Sequence, residues 1–575
     1  MSTSSSNTPR FYNYPTPKRT DLPYRSPEAP KNPVVRGLPL SVGASLISSV
    51  NLIQTYLWNN TGFNKLRGRP ELENVVPRYD PTVIPIQPAA AVASRFYSVY
   101  DFHAAYKSGK LTPVDVFEAL LPLIRRDISS PSAHSTAWID LNIDIVKAAA
   151  ADSAQRWASG KSIGVLDGVP IAVKDEVDLA GHKKRIGTKL DFTDPADVTS
   201  FCVQKWVDAG AIVLGKLNMH ELGLDTTNNN PNHGTPLNPY NERYYTGGSS
   251  GGSGYAVGAG LIPFALGADG GGSIRIPSNY CGIYGLKTSH GRVSGRPSPA
   301  LASTTGVMGP MAANMTDLEI AYRTMAIPDP ENPSSALFPQ PTPHTGPRPK
   351  LLGIYKTWFD RADPPVRQAC QKALDYMTST LGYQVIDISI PLLHEGQSAH
   401  ALTILNEIAS SHHPCDPSLT PANKILLSVG SHASAADFLA AQRVRTLLMQ
   451  HLAALWQEHP GLLIVSPTTP NAGWKISGGK SDLSYGVTDG NMSIRSMEFV
   501  WMANFVGAPA LNVPVGYVES EGVPMGLMAM GEWGSEDVLI EWGFDGERWL
   551  NEGLEGGRKR PGAWVDVLGL AREEK

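Results

Sequence analysis

The window from Gly247 to Gly295 holds 15 glycines in 49 residues, against 55 in the 575 of the whole chain. Glycine at that density means backbone in left-handed conformations, or main chain pressed close against another group. Two serine-punctuated runs stand inside it, Thr246-Gly-Gly-Ser-Ser-Gly-Gly-Ser-Gly254 and Gly267-Ala-Asp-Gly-Gly-Gly-Ser-Ile-Arg-Ile-Pro277. From Ser98 onward the surrounding sequence alternates apolar runs, such as Val169–Val173 and Ala211–Leu214, with helical patterns, such as Val114–Arg125 and Thr199–Asp208. That alternation predicts crossover connections and a largely parallel or mixed sheet.

A phosphate cradle does not fit the glycines. The Walker pattern requires a glycine five positions before Gly-Lys-Ser, and the one such triplet, Gly479–Ser481, has Trp474 there. A dinucleotide fingerprint fails too, because Gly252-Ser-Gly254 is followed by Val257 where glycine is needed. A serine-hydrolase elbow matches Gly247–Gly251 and Gly248–Gly252, but Tyr240–Thr246 is too polar for the strand that should precede it. Ser477-Gly-Gly-Lys480 with Lys287-Thr-Ser289 has the spacing of penicillin-recognising enzymes without their Ser-Asp-Asn element. A purely structural glycine hairpin also stays open. Upstream, the apolar run from Leu166 ends in Lys174. Such a lysine either reaches to solvent along its apolar stem or is desolvated, which disfavours its charged form and makes it a general base.

Gly-Val-Pro-Ile-Ala-Val-Lys174-Asp, Gly247-Gly-Ser249-Ser-Gly-Gly and Asp269-Gly-Gly-Gly-Ser273-Ile-Arg-Ile-Pro, in this order, resemble the amidase signature family. Gly215–Met219, Asn238-Pro239, Cys281–Lys287, Gly309–Met311, Pro467–Pro470 and Gly507–Gly516 are similar to further landmarks of that family. The likeness runs from about residue 95 to 545 and is strongest to acetamidase-type amidases of fungi. It implies an α/β fold with a large, twisted, mixed but mostly parallel β-sheet covered by helices on both faces. It also implies a cofactor-free Ser–cis-Ser–Lys triad of Ser273, Ser249 and Lys174, in which Ser273 forms an acyl-enzyme and the other two relay protons. The N–H groups of Gly270, Gly271, Gly272 and Ser273 would make the oxyanion hole, with Ser250, Asp269 and Arg275 in support. The implied reaction is hydrolysis of a small-molecule amide to acid plus amine or ammonia. Acyl transfer, a biosynthetic condensation, or service as the glutaminase subunit of an amidotransferase are the alternatives. Leu222 and Leu224 either line an acyl channel or pack in the core.

Net charge is −4, so nothing electrostatic points to nucleic acid or an anionic membrane as partner. Cys202, Cys281, Cys370 and Cys415 are spaced neither as a disulfide framework nor as a zinc site, which suits a cytoplasmic protein. His412-His413-x-Cys415 and His220-Glu221 read as non-metal sequences. The N-terminus lacks the apolar core of a secretory signal. No charged residue occurs from Gly37 to Asn64, yet seven Ser, Thr, Asn and Gln residues interrupt its first part, so a membrane span is not expected. Val42, Leu46, Ile47, Val50, Ile53 and Leu57 recur at helical steps and predict an amphipathic helix over 38–58 packed on the body, with peripheral membrane contact as its competing use. The expected organisation is a polar arm over 1–35, a helical extension over 36–95, the amidase signature domain over 96–545 and a tail over 546–575. Residues 327–350, with 8 prolines in 24, form a surface excursion. A homodimer is left open.

Overall fold

Apolar and β-branched runs form the strands of one eleven-stranded sheet. In chain order these are β1 (Trp138–Asp140), β2 (Pro170–Lys174), β3 (Ile212–Leu217), β4 (Phe264–Asp269), β5 (Tyr284–Lys287), β6 (Val307–Ala312), β7 (Leu351–Ile354), β8 (Gln384–Asp387), β9 (Leu462–Pro467), β10 (Ala510–Tyr517) and β11 (Pro524–Met530). Across the sheet they lie in the order β8-β7-β9-β11-β10-β5-β6-β4-β2-β3-β1. This is a computed structural model, and it describes residues 11–12, 15, 17–23, 34–67, 69–73, 75, 77–79, 81, 84–85, 96–342 and 348–573. Most of the polar arm and much of the Pro-spaced segment 76–88 lie outside the described residues.

The sheet is mixed, as expected, but it is not mostly parallel. Four pairings are parallel and six are antiparallel. The parallel pairs occur where a helix carries the chain back between strands, whereas the middle of the sheet is built by reversals such as the short β10–β11 turn. Strands β2, β4, β9 and β11 are buried at every position, so both sheet faces are covered. The Pro-rich excursion leaves and re-enters this one sheet, with β6 before it and β7 after it.

The stretch expected to be one amphipathic helix is two. Helices α1 (Gly37–Ser49) and α2 (Asn51–Thr61) meet at 101° about an extended Val50. The Ser48 and Ser49 hydroxyls both donate to the Ser45 carbonyl, and Gln54 Nε2 donates to the Ser48 carbonyl at 2.7 Å. Side chains thus take over main-chain acceptors where the helix would continue. The buried stripe is Leu40, Ala44 and Ser48, and Leu40 and Ala44 pack with Ala422 and Ile425 of the helix Pro421–Gly430. Val42 and Leu46, expected on the packed side, face outward with Leu38, Leu52 and Tyr56. No single helix among the described residues is long and apolar enough to cross a membrane.

Candidate active site

Strands β2 and β4 are parallel neighbours, so their carboxyl ends open together, the usual place for a site in an α/β sheet. Lys174 is the last residue of β2 and Asp269 the last of β4. The Lys174 side chain is 1% exposed and turns inward. Its Nζ donates to the Ala268 carbonyl at 3.1 Å and to Ser249 Oγ at 2.9 Å. Glu176 Oε2 lies 3.1 Å from the same nitrogen, a partner absent from the sequence reading although it stands two residues away. His220 is buried beside them. Burial, and then the Lys174 charge, push its imidazole down to about 3 and keep it neutral, while its backbone N–H donates to the Ser249 carbonyl at 3.0 Å.

The first serine-glycine run is strapped to the end of β4. Ser250 Oγ donates to the Ala268 carbonyl at 3.1 Å and accepts from the Ala268 N–H at 3.3 Å. The Gly248–Ser249 peptide is cis. Gly248 must be glycine for packing reasons, since a Cβ there would sit 2.7 Å from the Asn228 nitrogen. Its own N–H donates to the Thr226 carbonyl at 2.7 Å. The next residue back, Asp225, accepts from Ser493 Oγ at 2.6 Å, and burial raises its carboxyl above the ordinary range.

The second run folds round Asp269. Its carboxylate accepts from the Gly272 N–H at 2.6 Å, the Ile274 N–H at 3.0 Å, and Arg275 Nε and Nη2 at 3.0 and 3.1 Å. Burial alone would raise this carboxyl, but Arg275 and the two N–H groups outweigh it and hold it well below the usual range. Gly272 was expected to donate into the oxyanion hole, and here its N–H is spent on Asp269. The N–H groups of Gly270, Gly271 and Ser273 have no protein acceptor among the described residues. Three donors round the half-buried Ser273 thus remain available for a developing oxyanion. The Ser273 carbonyl accepts from the Ser250 N–H at 3.2 Å, which joins the two runs. Among the described residues no hydrogen bond links the hydroxyls of Ser273 and Ser249.

Residues the motifs did not reveal complete the loop. Asn504 accepts from Arg275 Nη2 and donates to the Asp269 carbonyl, both at 2.6 Å. His400 donates from Nε2 to the Gly270 carbonyl at 2.7 Å. Both come from far along the chain and carry no local pattern. Other candidates fall elsewhere: Ser477 and Lys480 are exposed, and Lys287, pushed down to about 7 by burial, donates to the Thr288 and Ala508 carbonyls. His413 accepts from the Cys415 N–H. Leu222 and Leu224 are buried, and the Gly223 between them passes over Ser249, where an added Cβ would lie 3.5 Å from Oγ.

Comparison with known proteins places the chain in a family. The Amidase family model matches residues 125–540. Fatty acid amide hydrolases of Medicago truncatula and Arabidopsis thaliana are 34% and 35% identical, over 87% and 86% of this chain and 84% and 82% of theirs. A solved structure described as an amidase superposes with a TM-score of 0.68 at 25% identity, covering 78% of this chain and 99% of its own. The chain therefore belongs to the amidase signature family, and its activity is hydrolysis of a carboxylic amide C–N bond.

Proposed function

We propose that the hydrolysis runs through a Ser273 acyl-enzyme with Ser249 and Lys174 as the proton relay, and that the substrates are amides of long apolar acids met at a membrane surface. The observation that carries the relay is the buried 2.9 Å contact between Lys174 Nζ and Ser249 Oγ. With its Nζ unprotonated at the moment of transfer, Lys174 takes the Ser249 proton while Ser249 takes that of Ser273, whose Oγ forms a bond to the amide carbon. The ammonium so formed lies against Glu176. As the C–N bond breaks, Ser249 returns a proton to the leaving nitrogen; water then enters by the same relay and releases the acid. The Ser249–Ser273 link is the one that substrate binding must close, since catalytic hydrogen bonds tighten in the reacting complex.

Apolar side chains support the substrate class. Ile404 packs where a Cβ on Gly270 would be, Met497 Sδ would lie 3.5 Å from one on Gly271, and Leu301 Cδ1 3.6 Å from one on Gly223. The outward apolar face of α1 and α2 supports the membrane contact. The relatives named as fatty acid amide hydrolases fit both. Four free thiols suit a reducing, cytoplasmic setting.

Ser273→Ala is expected to abolish fluorophosphonate labelling and amide turnover while leaving the thermal transition in place. Turnover at the normal rate by that variant would remove the nucleophile assignment. A panel of amides from acetyl to oleoyl should show kcat/KM rising with chain length, and a flat profile would remove the substrate class.

A further inference from the structure

We infer that His400 is a positioning residue of the oxyanion hole, fixing the Gly270–Gly271 peptide so that the Gly271 N–H faces the reacting carbonyl. The inference rests on the proposed role of Ser273 and its neighbouring N–H groups. A trans peptide carries its C=O and N–H on opposite sides. The Gly270–Gly271 peptide is trans, and its carbonyl accepts from His400 Nε2 at 2.7 Å. Its N–H therefore points away from the helix Leu393–Ala409 that bears His400. The flanking donors are set in the same way. The Asp269 carbonyl is held by Asn504 Nδ2 at 2.6 Å, which turns the Gly270 N–H outward. The Gly272 carbonyl is held by the Ile276 N–H at 2.7 Å, which turns the Ser273 N–H outward.

Three carbonyls are thus pinned from behind and three N–H groups are left facing the site. Two of the pins come from remote, fully buried side chains, those of Asn504 and His400. The His400 ring meets Phe505 edge-on with centroids 6.1 Å apart. It fits only because Gly271 has no Cβ, since one there would lie 2.7 Å from His400 Cε1. Nδ1 has no partner among the described residues, so the proton belongs on Nε2, where the carbonyl accepts it. Burial pushes the imidazole down to about 4. The Gly270 carbonyl and Asp269 pull the other way, and the charges of Arg445 and Arg275 press it further down. The ring keeps this donor in the neutral form through the ordinary working range.

The test compares His400→Phe, which keeps an aromatic ring without a donor, with His400→Gln, whose Nε2 can reach the same carbonyl. Steady-state kinetics on one amide, inhibition by a trifluoromethyl ketone that forms the tetrahedral adduct, and thermal unfolding are read for each. For His400→Phe, kcat should fall by about 10²-fold with KM within twofold, and ketone affinity should fall in parallel. His400→Gln should recover most of both. Should His400→Phe be too unstable to assay, His400→Leu takes its place against the same Gln variant. An unchanged kcat in the donor-free variant, or a loss of equal size in Gln and Phe variants of normal stability, overturns the inference. An active Ser273→Ala would instead overturn the site reading beneath it, so the two failures are distinguishable.

Discussion

Around Ser249 and Ser273 polar groups are buried, while along α1 and α2 apolar groups are exposed; each region inverts the ordinary rule of burial. In the glycine loops much of the polar valence is paired: Asp269 takes four bonds, Ser250 closes two with Ala268, and Gly248, Gly272 and Ile274 spend their N–H groups on protein acceptors. The N–H groups of Gly270, Gly271 and Ser273, which have no acceptor among the described residues, and the Ser273 hydroxyl are what a substrate would take up. On the helix pair the polar side chains are satisfied by neighbours, as Ser48, Ser49 and Gln54 show, and the surplus is apolar: Leu38, Val42, Leu46, Leu52 and Tyr56. In both regions function is read from the valence the fold does not use. A surplus of N–H donors suits a developing oxyanion, and a surplus of hydrocarbon suits a lipid surface.

The largest effect that would break this comparison belongs to Lys174. Lys174→Met keeps the length of the side chain and removes the proton acceptor. It should lower kcat/KM by about 10²–10⁴-fold on an anilide substrate. A fall of less than about threefold would show that the buried amine is structural, and that the polar centre is only packing.

The next effect is on stability. Asp269→Asn leaves the Arg275 guanidinium buried without its carboxylate, which should cost about 3–5 kcal/mol in urea unfolding at pH 7. The sign with pH follows from the direction of the shift. The folded carboxyl is held below its unfolded value of about 3.9, so its contribution is present above that pH and is lost as pH falls through the folded value. The gap between wild type and variant should therefore narrow below about pH 4. A constant gap down to the acid transition would mean that the glycine loop does not depend on this pair.

How much of this was legible follows from where each residue sits. Lys174, Ser249, Ser273, Asp269 and Arg275 belong to short local motifs, because a strand end and two glycine runs create the geometry within a few residues. Glu176 was visible two positions beyond Lys174 but carried no pattern to mark it. His400 and Asn504 act from 130 and 235 residues away and become relevant only once the sheet brings their helices over the loop. The fate of the Gly272 N–H was equally hidden, since sequence cannot say which of four adjacent donors a capping carboxylate will take. Strand direction was misread because alternating strand and helix look the same whether the chain returns by crossover or by reversal. The break at Val50 did have a signal, the Ser48-Ser49 pair, whose hydroxyls compete for helix carbonyls.

The smallest effect on the folded protein is the one that best sharpens the comparison. Val42 and Leu52 are 71% and 83% exposed, so Val42→Ser with Leu52→Ser should leave unfolding free energy within about 0.5 kcal/mol per site. Turnover of a short soluble amide should stay the same, since neither side chain belongs to the relay or the oxyanion loop. Binding to zwitterionic phospholipid vesicles should weaken at least tenfold. An apolar side chain contributes up to about 1.5–3 kcal/mol when fully withdrawn from water, and a tenfold change needs only about 1.4 kcal/mol. Hydrolysis of a long-chain amide presented in those vesicles should fall with the binding, while the same amide in detergent micelles should be cleaved nearly as before. If the double variant binds vesicles as tightly as wild type, the outward face of α1 and α2 serves some other contact. The exposed hydrocarbon would then say nothing about how substrate reaches Ser273.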